Sequence, residues 1–590
     1  MNIFGFFYSL VYLASFIRYS NSLSLWKNYT AFDYGTFLLG FIFIICLAQT
    51  VFHFCKKKYS RLAFSIFFIS LYYIGYIFFH RTNTAYDYAI LIDNIGEVLI
   101  PENGAIFGQI YRVKDVVTLL FIHLIIIVTF FKSKKFEVSY RRPLLGLASL
   151  IVYIFLVIFA PYSKEELSAF AKTMSDYYLN SSSKYIGEAY KNIDSILNYQ
   201  FESTYPEDKK DIILVHLESY SGIYINKKIN GKYVTPVMNE LYKEGLSFKH
   251  FYSNSIQTIK GQYATLCSLI PLPRGKASYR VDSSKLDCLP RVLGQMGYTT
   301  YFHDSFGNPG FDNTHDFIKK SGFEYIKTSR EIESKPGVLK WGWGVQDDFS
   351  YRYFVENIEE FKSNKKPIFA MIQTVSNHMW FDRVPKDQKE IFPNEKHLTE
   401  AFINSLHASD KYLGTLINEL KEKKIFDNSI IIITGDHSFP NSEHGMKSNA
   451  AGAYEEFFRV PLLIISKSQN LDGNIENING SQVDIKPTVL DLIGYKGEVQ
   501  SAGETLLTKS ERSSYLVQPY NGTFLSVVKH PYKVIWNKRN NRWQYFNLEL
   551  DPEERSPIKK ENKEIKALKK EIGFIFANEE YATQFTPKEG

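Results

Sequence analysis

Cysteine is scarce in this chain: four residues in 590, at positions 46, 55, 267 and 288. With no cluster of them, a thiolate zinc site is excluded as an organising feature. Cys46 and Cys55 lie on or beside an apolar run and read as small hydrophobes. A basic patch is lacking too. Lysine and arginine outnumber aspartate and glutamate by 69 to 62, for a net charge of +7. These cations are scattered through most of the chain and cluster only between apolar runs near the N-terminus. That is a pattern of membrane topology, and it excludes nucleic acid as the partner. The first apolar run has neither a basic segment ahead of it nor a small-residue cleavage site, which argues against a signal peptide. No charged pair falls inside an apolar run, which argues against a transport path.

What is present divides sharply at about residue 160. Five apolar runs, at 3–17, 36–54, 62–79, 116–131 and 144–160, predict a five-span transmembrane domain over residues 1–160. Lys56, Lys57, Lys58 and Arg61 follow the second run, and Lys132, Lys134, Lys135, Arg141 and Arg142 follow the fourth. The first and third connections are poorer in cations, and the third carries Asp87, Asp93, Glu97, Glu102 and Asp115. Positive charge stays inside, so the expectation is a multi-pass protein of the cell (inner) membrane with a cytoplasmic N-terminus. Everything past residue 161 is then periplasmic or extracellular. Residues 161–210 read as a helical linker, with a capping box from Ser163 to Glu166 and a second helical run at 184–199.

From residue 211 to 590, strand and helix patterns alternate, which predicts an α/β domain with a mostly parallel sheet. The strand candidates are 211–217, 248–252, 299–303, 367–374, 429–434 and 460–465. Helices are expected from about Ile259 and over 400–422. Two late strand candidates, around 523–529 and 532–536, precede Gln544-Tyr545-Phe546-Asn547-Leu548 and suggest a small antiparallel subdomain at the C-terminal end.

Two of the buried strands end on side chains with chemistry. The run Ile430 to Ile433 stops at Thr434-Gly435 and delivers Asp436 and His437, and the run Ile212 to Leu217 delivers Glu218. In a parallel sheet both would open into the crevice beyond the strand ends. Two carboxylates and an imidazole form a hard site, suited to Mn²⁺, with Mg²⁺ or Zn²⁺ as alternatives. Thr258 stands at the entry to a helix. It reads either as an N-cap or as a nucleophile placed where helix N–H groups favour an anion. Lys260, two residues on, is a candidate phosphate contact.

Three runs together, Val215-His216-Leu217-Glu218-Ser219, Gln257-Thr258-Ile259-Lys260-Gly261 and Thr434-Gly435-Asp436-His437, resemble the lipoteichoic acid synthase family of the alkaline phosphatase and sulfatase superfamily. Arg459-Val460-Pro461-Leu462 and Asp484-Ile485-Lys486-Pro487-Thr488 share that resemblance. It implies an enzyme that binds one Mn²⁺ through Glu218, Thr258, Asp436 and His437. It implies Thr258 as a nucleophile that takes phosphoglycerol from phosphatidylglycerol as a phospho-threonine and passes it to a hydroxyl. The partners implied are a membrane phospholipid donor and a cell-envelope glycan or polymer acceptor. His378 and His303 match family residues near the substrate.

The chain departs from that family at Asn308-Pro309-Gly310-Phe311-Asp312-Asn313, where a Trp and an Arg that contact the donor would be expected. Arginine is the residue suited to bidentate phosphate recognition. His444 is the candidate for part of the missing contact, or else a structural residue. A phosphoethanolamine transferase of the same superfamily is the alternative. A sulfatase or phosphodiesterase is weaker, because Thr-Ile-Lys-Gly replaces the sulfatase nucleophile motif. An inactive relative is opposed by the intact Glu218, Thr258, Asp436 and His437. On the expected topology Cys267 and Cys288 both lie outside, where they can form a disulfide that braces the helix beginning at Thr258.

Overall fold

The computed structural model describes residues 58–82, 88–98 and 112–132, a few single positions between 151 and 178, and residues 185–587 apart from 204, 206, 208, 363–364, 442, 445–451, 470, 472, 509–510, 521–522 and 539–540. Two compact units result, one of them residues 1–180 with 442–451 and 520–522, the other nearly all of the remainder.

In the N-terminal unit, helices α1 (Lys58–Thr82) and α2 (Val113–Lys132) cover the runs expected at 62–79 and 116–131. Ile69, Tyr73 and Ile77 on one and Ile126 and Phe130 on the other are buried, and Ser70 Oγ lies 2.9 Å from His123 Nε2. The expectation of five spans is not supported here: among the described residues no helix is long and apolar enough to cross a membrane. Serines 65 and 70 on α1, and Lys114, Asp115 and His123 on α2, interrupt the apolar sequence. The runs at 3–17 and 36–54, and all but one residue of 144–160, lie outside the described residues, as does the capping-box segment from Ser163 to Glu166.

The larger unit is built on eight strands: β1 (Asp211–Leu217), β2 (Leu246–Tyr252), β3 (Thr299–Asp304), β4 (Tyr325–Thr328), β5 (Ile368–Gln373), β6 (Ser429–Gly435), β7 (Leu462–Ile465) and β8 (Gly473–Ser481). Their order across the sheet is β8-β2-β7-β6-β1-β5-β3-β4. All neighbours are parallel except at β7, which runs antiparallel to both β6 and β2. Continuous apolar runs are what a strand covered on both faces requires. Ile212, Leu214, Ile430 and Ile432 point to one face, against α3 (Thr258–Cys267) and α7 (Ile485–Leu492). Ile213, Val215, Ile431 and Ile433 point to the other, against α5 (Asp347–Lys362) and α6 (Leu398–Glu422). Each fully buried aliphatic side chain stabilises by roughly 1.5–3 kcal/mol relative to exposure, so a one-residue slip of β1 against β6 would reverse the faces and is strongly disfavoured. The register sets Leu217 opposite Gly435, so Glu218 and Asp436 leave the sheet side by side.

The C-terminal subdomain is an antiparallel meander of β9 (Ser514–Gln518), β10 (Phe524–Lys529), β11 (Tyr532–Asn537) and β12 (Arg542–Asn547), with α8 (Lys563–Thr583) packed on it through Phe576 and Trp536. The helical run expected over 184–199 is a correction. Only Glu188–Tyr190 and Ile193–Leu197 are helical turns, and Asn198–Gln200 pairs as a strand with Glu498–Gln500.

Cys267 and Cys288 are joined in a disulfide. It ties the last residue of α3 to the N-cap of α4 (Leu289–Gln295), across a sequence separation of 21. Closing a loop of this size removes about 3 kcal/mol of chain entropy from the unfolded state. We expect Cys288→Ser to lower the free energy of unfolding by about that amount in a denaturant titration. Full thiol labelling of both cysteines in unreduced, denatured protein would contradict the bridge.

Candidate active site

The parallel strands bring their carboxyl ends to one edge, and the reactive side chains collect there. Glu218, Asp436 and His437 are each no more than 7% exposed. One ligand atom from each lies within 4.8 Å of the others, a group able to hold a metal ion. His437 Nδ1 is 2.9 Å from the Ser438 carbonyl. A carbonyl can only accept, so Nδ1 carries the proton and Nε2 presents its lone pair. That Nε2 lies 3.8 Å from Glu218 Oε1 and 3.7 Å from Asp436 Oδ2.

Asp436 is held from several sides. Its Oδ1 accepts from the Ser219 and His437 amides at 2.8 and 2.6 Å, and its Oδ2 from Gln373 Nε2 at 3.2 Å. Its carbonyl accepts from Gln482 Nε2 at 2.7 Å. Ser219 sits at φ 48°, a left-handed conformation uncommon for a residue with a Cβ. There its N–H serves Asp436, its hydroxyl donates to Glu218 Oε1 at 2.7 Å, and its carbonyl accepts from Asn377 at 3.0 Å. One strained turn thus links both carboxylates.

The electrostatics suit a cation. Burial, and then the neighbouring Asp436, pushes the Glu218 carboxyl well above its usual range. Burial would raise Asp436 as well, but His437 and His216 beside it hold it below the usual carboxylate range. Two buried carboxylates facing one imidazole lone pair are a donor set that a divalent cation fits.

Thr258 is the first residue of α3, and its hydroxyl lies 3.3 Å from Glu218 Oε2. The N-cap is Gln257, so the N-cap reading of Thr258 is set aside. Lys260 is placed differently from the expectation. It is buried, and its ammonium donates to the carbonyls of Leu272 and Gly275 at 2.9 and 2.7 Å, in the loop that leads to the disulfide partner. The helix rotates it away from Thr258, since residues two apart point to different sides.

A cavity of about 60 Å³ opens beside Glu218 and Thr258, walled by Asp304, Phe306, Phe311, Asp312, Trp343 and His378 among others. His378 is half-buried there, with its ring 4.2 Å from that of Trp343 and its Nδ1 2.7 Å from the Met379 carbonyl. Burial pulls it down to about 4. His303 does not reach the cavity. Its ring packs at 5.7 and 6.4 Å against Tyr353 and Phe354 of α5, and burial lowers it to about 3. Successive strand residues point to opposite faces, so the next residue, Asp304, lines the cavity instead. Asp304 is pushed up to about 7 by burial. Asp312 forms a buried ion pair with Lys276. His444 lies in a half-buried turn and falls with the N-terminal unit.

Sequence reasoning missed Ser219, Gln373, Gln482, Asn377, Asp304 and Trp343. Ser219 and Gln373 had a readable signal, since both stand at the ends of apolar strands. Trp343 had none, because it reaches the cavity from a loop between β4 and α5.

Comparison with known proteins agrees with this geometry. The Sulfatase family profile matches residues 210–495. Lipoteichoic acid synthase-like YvgJ of Bacillus subtilis is 26% identical over 359 residues, 57% of this chain and 57% of its own length. Lipoteichoic acid synthase of Staphylococcus saprophyticus is 26% identical over 459 residues, 69% of this chain and 67% of its own. Among solved structures, the lipoteichoic acid synthase LtaP of Listeria monocytogenes superposes with a TM-score of 0.56 at 22% identity, covering 68% of this chain and 99% of that one. An alkaline phosphatase superfamily protein of Vibrio parahaemolyticus gives 0.58 at 22%, covering 70% and 100%. The fold and site define a member of the alkaline phosphatase and sulfatase superfamily. Within it, the chain is similar to lipoteichoic acid synthases.

Proposed function

We propose that this protein is a metal-dependent transferase that moves a phosphoglycerol group from phosphatidylglycerol, through a covalent bond to Thr258, onto a hydroxyl of a cell-envelope glycan or polymer. The observation that carries this reading is the Thr258 hydroxyl, 3.3 Å from Glu218 at a helix N-terminus, beside Asp436 and His437. Glu218, Asp436, His437 and Thr258 would hold the cation, with Mn²⁺ first and Mg²⁺ or Zn²⁺ as alternatives. Such an ion neutralises phosphate charge and favours the ionised form of a neighbouring hydroxyl. Thr258 Oγ attacks phosphorus, the bond to the diacylglycerol oxygen breaks, and the Thr258 proton points along its bond to Glu218. The N-terminal amides of α3 face the phosphoryl oxygens. The departing alkoxide takes its proton from solvent; His378, neutral with its proton on Nδ1, presents the Nε2 lone pair at the cavity wall to the acceptor hydroxyl, whose attack reverses the exchange. Residues 1–160 would hold the enzyme at the membrane that supplies the donor, with 161–210 as linker and 211–590 as the extracytoplasmic catalytic domain.

A second donor, phosphatidylethanolamine, is favoured by one feature. Among the described residues lining the cavity there is no Arg or Lys, while Asp304 and Asp312 are both there with Phe306, Phe311 and Trp343. Carboxylates and aromatic faces complement an ammonium headgroup. Full-length protein with Mn²⁺ and either lipid in mixed micelles decides between them. Diacylglycerol from phosphatidylglycerol alone supports the first donor, and diacylglycerol from phosphatidylethanolamine alone replaces it. Release from neither, with glycan acceptor present, defeats the transferase reading.

A further inference from the structure

Behind Asp436 runs a line of buried polar side chains that the transfer step does not use. Gln373, the last residue of β5, directs Nε2 to Asp436 Oδ2 at 3.2 Å. Its Oε1 lies 2.7 Å from Nδ1 of His216, which is on β1 and fully buried. His216 Nε2 lies 3.3 Å from Thr265 Oγ, and Gln262 Nε2 lies 3.3 Å from the same Gln373 Oε1. Thr265 and Gln262 belong to α3, the helix whose first residue is Thr258.

The direction of every bond follows from its far end. A carboxylate oxygen that is ionised only accepts, so Gln373 presents N–H to Asp436 and turns its carbonyl back. That carbonyl only accepts, so His216 carries its proton on Nδ1. Nε2 is then the acceptor, and the Thr265 hydroxyl donates to it. The backbone supports the same pairing, because His216 and Gln373 are register partners in adjacent parallel strands.

We propose that His216 and Gln373 are positioning residues. They keep an N–H on Asp436 Oδ2, so that this carboxylate holds one orientation toward a bound cation, and they tie it to the helix that carries Thr258. If Gln373 were free to turn, its carbonyl would face the carboxylate and repel it. This rests on the reading of Glu218, Asp436 and His437 as a metal site, and residues behind metal ligands typically change affinity by about 10- to 100-fold.

The test measures Mn²⁺ binding to the full-length protein by calorimetry, with thermal unfolding followed alongside. An Asn at 216 places its side-chain N–H near the position of Nδ1, whereas a Gln places it near Nε2. We therefore expect His216→Asn to bind Mn²⁺ within about 3-fold of wild type, while His216→Gln and His216→Leu weaken it about 10- to 100-fold. A merely structural need for a buried polar group would not separate Asn from Gln. Equal weakening in Asn and Gln variants, or unchanged binding in the Leu variant, overturns the proposal. Should the 216 variants not fold, Gln373→Met removes the amide that joins Asp436 to His216, and wild-type affinity in that variant overturns it equally. Wild-type protein that binds no Mn²⁺ would instead defeat the metal-site reading itself.

Discussion

Thr258→Ala should leave a folded protein whose diacylglycerol release is lower by at least about 10³-fold, in line with the loss of a covalent nucleophile in other enzymes. The fold should tolerate the change for specific reasons. Gln257, not Thr258, is the N-cap of α3, and Thr258 is only half-buried. Its side-chain hydrogen bond to Glu218 is long at 3.3 Å. Alanine is also the better helix former, by a few tenths of a kcal/mol. Stability should therefore change by about 0.5 kcal/mol or less, as for ordinary surface substitutions. Thr258→Ser keeps the hydroxyl and should retain measurable turnover, and the wild-type protein quenched during turnover should show added headgroup mass on the peptide that contains Thr258. If the Ala variant releases diacylglycerol at close to the wild-type rate, the nucleophile lies elsewhere and the mass should appear on another peptide.

The parts of this site that could be read from sequence are those set by a single strand. Ile430 to Ile433 and Ile212 to Leu217 are buried on both faces, and their apolar continuity marks where each strand stops and hence where Asp436 and Glu218 emerge. The parts that could not be read depend on pairing between distant segments. Gln373 reaches Asp436 only because β5 lies beside β1 in a register that sets it opposite His216. Lys260 lies two residues from Thr258 in sequence, yet helical rotation and the carbonyls of Leu272 and Gly275 take it elsewhere. His303 carried the expected chemistry, but the pleat directs it to α5 and brings Asp304 to the cavity. Val460 to Ile465 reads as a strand, but nothing in a run this short encodes direction; the structure sets it antiparallel between β6 and β2.

Gly261→Ala should be strongly damaging although it replaces no reactive group. In a helix interior this change ordinarily stabilises, because glycine costs about 1 kcal/mol there relative to alanine. Here a Cβ would stand 2.2 Å from the Asp436 carbonyl oxygen and 3.0 Å from its carbon. Those are backbone atoms, and Gln482 pins the same oxygen at 2.7 Å, so they have little room to yield. Either α3 moves outward, carrying Thr258 from Glu218, or Asp436 moves, carrying its carboxylate from His437. A shift on the order of 1 Å suffices to cost about 10²-fold in rate, and overpacking of this kind costs about 1–3 kcal/mol of stability. We expect turnover to fall by about 10²-fold or more, with weaker Mn²⁺ binding and a lower melting temperature. Gly414→Ala on α6 is the control, since a Cβ there meets only Val237 at 3.5 Å and 3.9 Å. It should be neutral or stabilising. Wild-type turnover in the Gly261 variant would mean that contact between α3 and the Asp436 backbone does not set the distance from Thr258 to Glu218 and Asp436.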